Sequence, residues 1–227
     1  MKKKPVFSRE LAYVCGVYIL TMGTAFIEKA NLGMSMVVAP AYVLSLKFQP
    51  LVHFFTFGFF EYMIQAVMLI VLALALRTWK RSWIFSFVTA FLSGNAIDLN
   101  CYLIRSLSAD TLGIRILCFV IGLLLGSLGI SFLYHTYIPL EVYDIVILEI
   151  VDRKKSSVSK VKTTYDCISC AAAIAISFVF FHGLRGVNVC TVICALVNGT
   201  CIGTWTKILD RCFTFKDTTK LRSFFEK

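Results

Sequence analysis

Six polar residues lie in or beside long apolar stretches and are the candidates for binding a substrate or a proton: Glu61, Gln65, Glu141, Asp144, Lys162 and Asp166. A carboxyl group that is removed from water has a raised pKa and can exchange a proton near neutral pH. Gln65 follows Glu61 by one helical turn, and the same spacing permits an ion pair between Lys162 and Asp166. These residue types favour a site that binds a substrate or couples its movement to protons.

An ordinary structural role is the alternative for each of these residues, because charged side chains near a membrane surface can reach water or pair with a neighbour. For Lys162 and Asp166 we favour the structural role, since the pair lies close to the expected cytoplasmic boundary. For Glu61, about two turns inside its apolar stretch, we favour the functional role. Glu28 would extend an acidic lining, but the adjacent Lys29 is typical of an interface.

Three further polar residues in apolar stretches, Asn95, Asp98 and Asn198, are typical of hydrogen bonds between packed helices. The spacing of Cys167 and Cys170 is that of a zinc-binding pair, but no second pair and no nearby histidine accompanies it. The sequence contains no nucleotide-binding loop and none of the common hydrolase or metalloprotease motifs. We therefore expect a protein that is not an enzyme and that has neither a metal site nor a cofactor.

The elements that carry these residues are predicted from composition. Of the 227 residues, 58% are hydrophobic and 16% are charged, whereas a soluble domain has about 25% charged residues. The apolar residues come in long blocks, without the alternation of half-buried strands or helices. The sequence therefore predicts an all-α protein that spans a membrane several times and contacts the lipid bilayer directly.

The net charge of +10 comes from basic clusters between the apolar blocks. Such clusters are what the positive-inside rule predicts for cytoplasmic loops, and they argue against nucleic-acid binding. With 18 of the 23 Lys and Arg residues on one side, both termini are expected in the cytoplasm. The expected location is therefore a membrane that borders the cytoplasm and that the chain crosses several times.

Six blocks are long enough to cross a bilayer, which takes about 20 residues: Leu11–Ile27, Phe54–Leu76, Trp83–Ile104, Leu112–Tyr134, Cys167–Leu184 and Val187–Trp205. Leu32–Leu46 is shorter and contains Pro40, and Ile138–Val151 contains three acids. An acid in the centre of a bilayer costs about 2.5–3.5 kcal/mol on insertion scales. We therefore predict six spans and two short non-spanning helices. An eight-span topology stays open, because it gives the same charge distribution.

The order of elements also repeats. Gly23-Thr24-Ala25-Phe26 lies 106 residues before Gly129-Ile130-Ser131-Phe132, and Glu61 lies 105 residues before Asp166. Residues 11–104 and 112–205 would then be two three-span halves of one membrane domain, followed by a basic cytoplasmic tail at 206–227. An odd number of crossings inverts one half relative to the other, which is a recurring plan of secondary transporters.

A series of residues from Ile138 onward resembles the YczE/YyaS/YitT type of bacterial integral membrane proteins. The matching positions are Pro139, Asp144, Ser156-Ser157-Val158-Ser159, Lys162, Asp166, Asn188-Val189-Cys190-Thr191 and Asn198-Gly199, with Leu32-Gly33 in the first half. The chain has Lys162 and Asp166 where that type has Arg and Glu. The resemblance implies a multispanning bacterial membrane protein, with export of small molecules suggested for some relatives.

Two functions are compatible with these features. The first is a secondary transporter or permease-like protein for a small solute, which the acids in apolar stretches and the repeat favour. The second is a non-transporting subunit that binds or regulates another membrane protein. The partners that we expect are the bilayer and a small-molecule substrate, with a second copy or another membrane protein left open.

Overall fold

The computed structural model describes residues 4–33, 35–52, 55, 57–77, 83, 85–185, 187–219 and 222. Within these ranges, the side chains at positions 57, 58, 61, 76, 87 and 98 fall outside the description. The predicted functional residue Glu61 and the predicted packing residue Asp98 are therefore placed on their helices by backbone alone.

The described residues form eight α-helices and two short strands. The helices are α1 (Arg9–Ala30), α2 (Ala39–Phe48), α3 (Phe57–Leu76), α4 (Ser86–Leu103), α5 (Leu112–Leu133), α6 (Val142–Lys154), α7 (Val158–Phe181) and α8 (Val189–Cys212). The strands are β1 (Val6–Ser8) and β2 (Thr214–Lys216). The all-α architecture is confirmed, and each helix overlaps one of the eight apolar blocks.

Polar side chains fix where the long helices begin. Ser8, Thr111 and Ser157 precede α1, α5 and α7, and each hydroxyl accepts a hydrogen bond from the backbone N–H three residues later. Asn188 begins α8 with a reciprocal pair of hydrogen bonds to Thr191. These contacts satisfy N–H groups that have no partner inside the helix. The apolar helices therefore start at defined residues.

Within the described part of the chain, α1, α5, α7 and α8 are long and apolar enough to cross a membrane. Their outward faces carry large apolar side chains, including Val14, Leu117 and Val179, which are 62%, 57% and 69% exposed. A soluble protein would bury such side chains, whereas a bilayer accepts them. The protein is therefore embedded in a membrane through these helices.

Helices α1 and α5 form the centre of the bundle. They approach closely because small residues face each other: a Cβ atom added at Gly23 would lie 2.7 Å from the carbonyl oxygen of Gly122. Helix α4 packs on α1, and α8 packs on α5 and along α7. The short helices α2 and α6 each contact both α3 and α7. Close packing of small residues is a common way to join helices in lipid.

The two ends of the chain meet at one end of the bundle. Strands β1 and β2 pair in parallel, with Phe7 opposite Phe215. The Phe7 ring also lies 5.7 Å from the Phe132 ring at the end of α5, and Arg9 forms an ion pair with Asp217 at 3.2 Å. The segment after Trp205, which the sequence predicts as a basic tail, therefore first completes α8 and then folds back onto the start of α1.

Helix α7 also begins earlier than the sequence predicts. The apolar block starts at Cys167, but the helix starts at Val158. Lys162 and Asp166 are thus inside α7 and buried, not at an exposed boundary. The apolar block alone could not indicate this, because Lys162 and Asp166 pair with each other and also contact Asp144 of α6 and Asn198 of α8.

Candidate functional site

A lysine and two aspartates from α6 and α7 form a buried charged cluster, which we call the 144–162–166 cluster. The Nζ atom of Lys162 lies 3.5 Å from Oδ1 of Asp144 and 3.6 Å from Oδ1 of Asp166. The whole residues are 1%, 5% and 0% exposed, respectively. Charged groups are rarely buried to this extent unless they are paired or functional.

Asp144 is positioned by the connection between α5 and α6. It lies in the first turn of α6, where the helix dipole favours a negative charge. The hydroxyl of Tyr134, which follows the last residue of α5, donates to Oδ1 of Asp144 at 3.0 Å. Thr89 of α4 donates to the carbonyl oxygen of Pro139. Contacts from two neighbouring helices thus hold this carboxylate in place.

Asp166 is held from the other side by α8. The Nδ2 atom of Asn198 donates to Oδ2 of Asp166 at 3.4 Å. The next residue, Gly199, lets α8 approach α7, because a Cβ atom there would lie 2.7 Å from the carbonyl oxygen of Ser159. Asn198, a predicted helix-packing residue, thus makes its contact directly to a predicted site residue.

A cavity of about 540 Å³ opens beside this cluster. Asp144, Lys162 and Glu141 line one region of it, and Glu28 near the end of α1 lines another. Residues of α1, α3, α4 and α5 complete the wall, among them the buried Gln65. The volume is within the range of about 300–1,000 Å³ that is usual for sites of small molecules.

Glu141 immediately precedes α6 and is partly buried in the cavity wall. Burial away from water raises the pKa of its carboxyl group to about 7, the negative charge of Asp144 adds to the rise, and Ser93 and Lys162 oppose it. A carboxyl group with such a pKa gains and loses its proton near neutral pH. Glu141 can therefore serve as a proton-exchanging group beside the charged cluster.

The structure brings four of the six predicted site residues to one region and places a fifth on the cavity wall. Glu141, Asp144, Lys162 and Asp166 lie together, and Gln65 lines the same cavity. The structure describes Glu61 by its backbone position on α3, one turn before Gln65. The predicted packing residue Asn95 lines the cavity as well, and its Nδ2 atom donates to the carbonyl oxygen of Phe91 within α4.

Three residues of the site are not singled out by the sequence analysis: Tyr134, which donates to Asp144, and Tyr143 and Ser93, which line the cavity. All three are aromatic or hydroxyl residues at positions that apolar blocks often contain, so their types carry no signal. Their roles depend on α4, α5 and α6 meeting at the cluster. Only the order of the repeat points to Ser93, which lies 105 residues before Asn198.

A second cavity, of about 650 Å³, lies at the opposite end of the bundle from the paired strands. Its wall includes Glu28, Lys29, Asp110 and Arg115. Glu28 lines both cavities, and its Oε2 atom accepts a hydrogen bond from the thiol of Cys101 at 3.2 Å. Glu28, which the sequence indicated as an interfacial residue, thus stands between the two cavities. Among the residues that the structure describes, no group of three His, Cys, Asp or Glu side chains is arranged to hold a metal ion.

Comparisons with known proteins assign the chain to a family. Residues 7–207 match the family described as "Family of unknown function (DUF6198)". The chain is also 27% identical over 206 residues to "Uncharacterized protein YyaS" of Bacillus subtilis (strain 168), which covers 90% of this chain and 96% of the relative. This likeness confirms the resemblance to YyaS-type proteins. No solved structure matches significantly. The chain is therefore a helical membrane protein that belongs to the DUF6198 family, a family of unknown function.

Proposed function

We propose that the protein is a secondary transporter of the bacterial cytoplasmic membrane and that the 540 Å³ cavity binds its small solute. The observation that carries the proposal is the buried 144–162–166 cluster at the cavity wall. Buried charges in a membrane-embedded bundle are costly, and they are typical of substrate sites and proton pathways. A purely structural bundle has no need for a cavity lined by such groups.

The proposal includes six spans arranged as two inverted halves. The pattern of helix contacts supports it: α1 packs with α4 as α5 packs with α8, and α2 contacts α7 as α6 contacts α3. Each half then reads as a span, a short helix and two spans. In transporters built in this way, the substrate site lies near the middle of the membrane, where the two halves meet.

The distribution of Lys and Arg gives the orientation that we propose, with both termini and the paired strands in the cytoplasm. The cavity beside Glu28, Asp110 and Arg115 then faces outward. Because Glu28 lines both cavities, a solute would pass this residue between the outer surface and the charged cluster.

Transport by the purified full chain in liposomes tests the proposal. Vesicles would be loaded with a mixture of small metabolites, and mass spectrometry would identify the solutes whose gradients collapse when a pH gradient is applied. We expect Asp144→Asn and Asp166→Asn to lower the flux at least tenfold, a loss of about 1.4 kcal/mol or more in effective binding. Glu61→Gln belongs in the same series, since its position on α3 makes it the repeat counterpart of Asp166.

Asp152→Asn is the matched control, because Asp152 is an exposed acid on the same helix as Asp144. Its flux should equal that of the unsubstituted protein. The absence of flux for every solute, together with a stable complex with another membrane protein in mild detergent, would instead favour the non-transporting subunit.

A further inference from the structure

We propose that the cavity selects solutes that carry an ammonium group, and that this group binds Asp144 in the place that Lys162 occupies in this structure. The inference rests on the proposed transport function and specifies its substrate class. Lys162 would be a built-in cation, which holds the site together when no solute is bound and moves aside when a solute arrives.

The charge balance of the cluster supports this inference. Two aspartates share one lysine, so the ionised cluster carries a net charge of −1 and can accept one more cation. Tyr134 donates a hydrogen bond to Asp144 and Asn198 donates one to Asp166. Hydrogen bonds of this kind stabilise the ionised form of a carboxyl group. The described charged groups on the cavity wall are also mainly acidic: Glu28, Glu141 and Asp144 against Lys162.

The contacts of Lys162 allow it to move. Its Nζ atom lies 3.5 and 3.6 Å from the two carboxylate oxygens, whereas a strong hydrogen bond between charged groups is about 2.7–2.9 Å long. Asp144 lines the cavity, but Asp166 is fully buried behind it. When a solute takes Asp144, the flexible lysine side chain can stay with Asp166. The displaced charge then keeps a partner.

The rest of the cavity suits the body of an organic cation. Tyr62 and Tyr143 lie on its wall, together with apolar residues such as Leu20 and Ile130. An aromatic ring attracts a nearby ammonium group, and apolar walls bind a hydrocarbon body. An anionic solute would instead have to bind Lys162 while facing the carboxylates of Glu141 and Asp144, which repel it.

Three probes of similar shape and different charge test the inference with the purified full chain in nanodiscs. They are 2-phenylethylammonium, the neutral 2-phenylethanol and the anion 3-phenylpropionate. We expect 2-phenylethylammonium to raise the midpoint of thermal unfolding and to bind by calorimetry, and the other two to bind at least tenfold more weakly. Stabilisation by 3-phenylpropionate and not by the ammonium probe would overturn the inference. This comparison needs no variant, so it decides even if a substitution prevents folding.

Two variants then test the role of Lys162. Asp144→Asn should weaken binding of 2-phenylethylammonium at least tenfold, whereas the exposed control Asp152→Asn should leave it unchanged. The double variant K162M/D166N removes the built-in cation and one aspartate, so that Asp144 stays negatively charged without its competitor. We expect it to bind the ammonium probe about tenfold more tightly than the unsubstituted protein. Equal or weaker binding by this folded double variant would show that Lys162 does not compete with the solute.

The outcome for transport separates this inference from the proposed function. Flux of an anionic or neutral solute, without binding of the ammonium probe, would overturn the substrate class and leave the transporter. Tight binding of 2-phenylethylammonium without flux of any solute would retain the cation site and overturn transport.

Discussion

The last two helices are arranged differently in the two halves that we propose. Helices α7 and α8 pack closely, and Gly199 is at their contact: a Cβ atom added there would lie 2.7 Å from the carbonyl oxygen of Ser159. Gly94 lies 105 residues earlier, at the corresponding place in α4. A Cβ atom added at Gly94 would meet no atom of the described residues within 4 Å, and this residue lines the cavity.

This difference explains where the cavity comes from. The described residues of α3 and α4 do not pack extensively against each other, and the space between them is part of the cavity. The second half is closed and contributes the charged cluster, whereas the first half is open and contributes space. In the repeat and the transport function that we propose, one half would hold the charges and the other would admit the solute.

The charged cluster in the closed half should give the largest effect on stability. Lys162→Met leaves two buried carboxylates without their cation, and we expect it to lower the free energy of unfolding by about 3–5 kcal/mol. Adding Asp166→Asn removes one of these charges and should restore a part of the loss. Unfolding in mixed micelles measures the change. Lys160→Met, an exposed position on the same helix, is the control and should change stability by less than about 0.5 kcal/mol.

A loss as small for Lys162→Met as for Lys160→Met would contradict the buried cluster. It would also weaken the contrast between the two proposed halves, because that contrast includes a stabilising charged cluster in the second half alone.

The paired glycines should give the next largest effect. Gly199→Ala forces α8 away from α7 and should destabilise the protein by about 1–3 kcal/mol, which is usual for overpacking. Gly94→Ala contacts none of the described residues and gains helix propensity, so it should be neutral or stabilising by up to about 1 kcal/mol. The same unfolding measurement compares the two variants. Equal losses would mean that α4 is packed as closely as α8, and the distinction between open and closed halves would be wrong.

A larger side chain at Gly94 should act on transport and not on stability. Gly94→Phe places a ring inside the cavity, and we expect flux in liposomes to fall at least tenfold, equivalent to about 1.4 kcal/mol. The unfolding free energy should change by less than about 1 kcal/mol, because the ring meets open space. Leu92→Phe is the control, because Leu92 is an exposed apolar residue of α4 outside the described cavity wall, and its flux should equal that of the unsubstituted protein. Full flux through Gly94→Phe would exclude the space between α3 and α4 as part of the solute path.

The sequence predicts much of the architecture because the bilayer imposes a simple rule: apolar blocks must be long enough to cross it. The order of residues alone predicts the six long apolar blocks and the two short ones. It also predicts the one-turn spacing between Lys162 and Asp166. The partnership of Asp144 with Lys162 does not follow, because Lys162 comes 18 positions after Asp144, beyond the rest of α6, a turn and the first residues of α7. It depends on how α6 packs against α7, and no local sequence pattern predicts the angle between these two helices.

The same limit applies to Glu28 and to the end of the chain. Glu28 reads as interfacial because a lysine follows it, and only the three-dimensional arrangement shows that it lines two cavities. The segment around β2 reads as a basic tail because Lys207, Arg211 and Lys216 surround the alternating Phe213 and Phe215. Its partner, β1, lies more than 200 residues away, so the pairing leaves no trace in either segment alone.

The smallest expected effect concerns the two acids that face equivalent positions of α4 and α8. Asp166 receives its hydrogen bond from Asn198 in the closed half, whereas Glu141 lies beside Ser93, the repeat counterpart of Asn198, on the open side. Burial raises the pKa of Glu141 from 4.5 to about 7. The folded protein therefore binds more protons than the unfolded chain in this range, and its stability falls as the pH rises from about 4.5 to about 7.

Glu141→Gln removes the titrating group and should flatten this part of the pH profile of thermal unfolding. Three other charged or titratable groups interact with Glu141, namely Asp144, Lys162 and Tyr13. They stay in place in this variant, which therefore isolates the effect of one carboxyl group. Asp152→Asn should keep the slope of the unsubstituted protein, since that acid is exposed on the far part of α6. An unchanged slope in Glu141→Gln would mean that water reaches Glu141 freely, and the open half would then be a solvated cleft, with no desolvated carboxyl group beside the cluster.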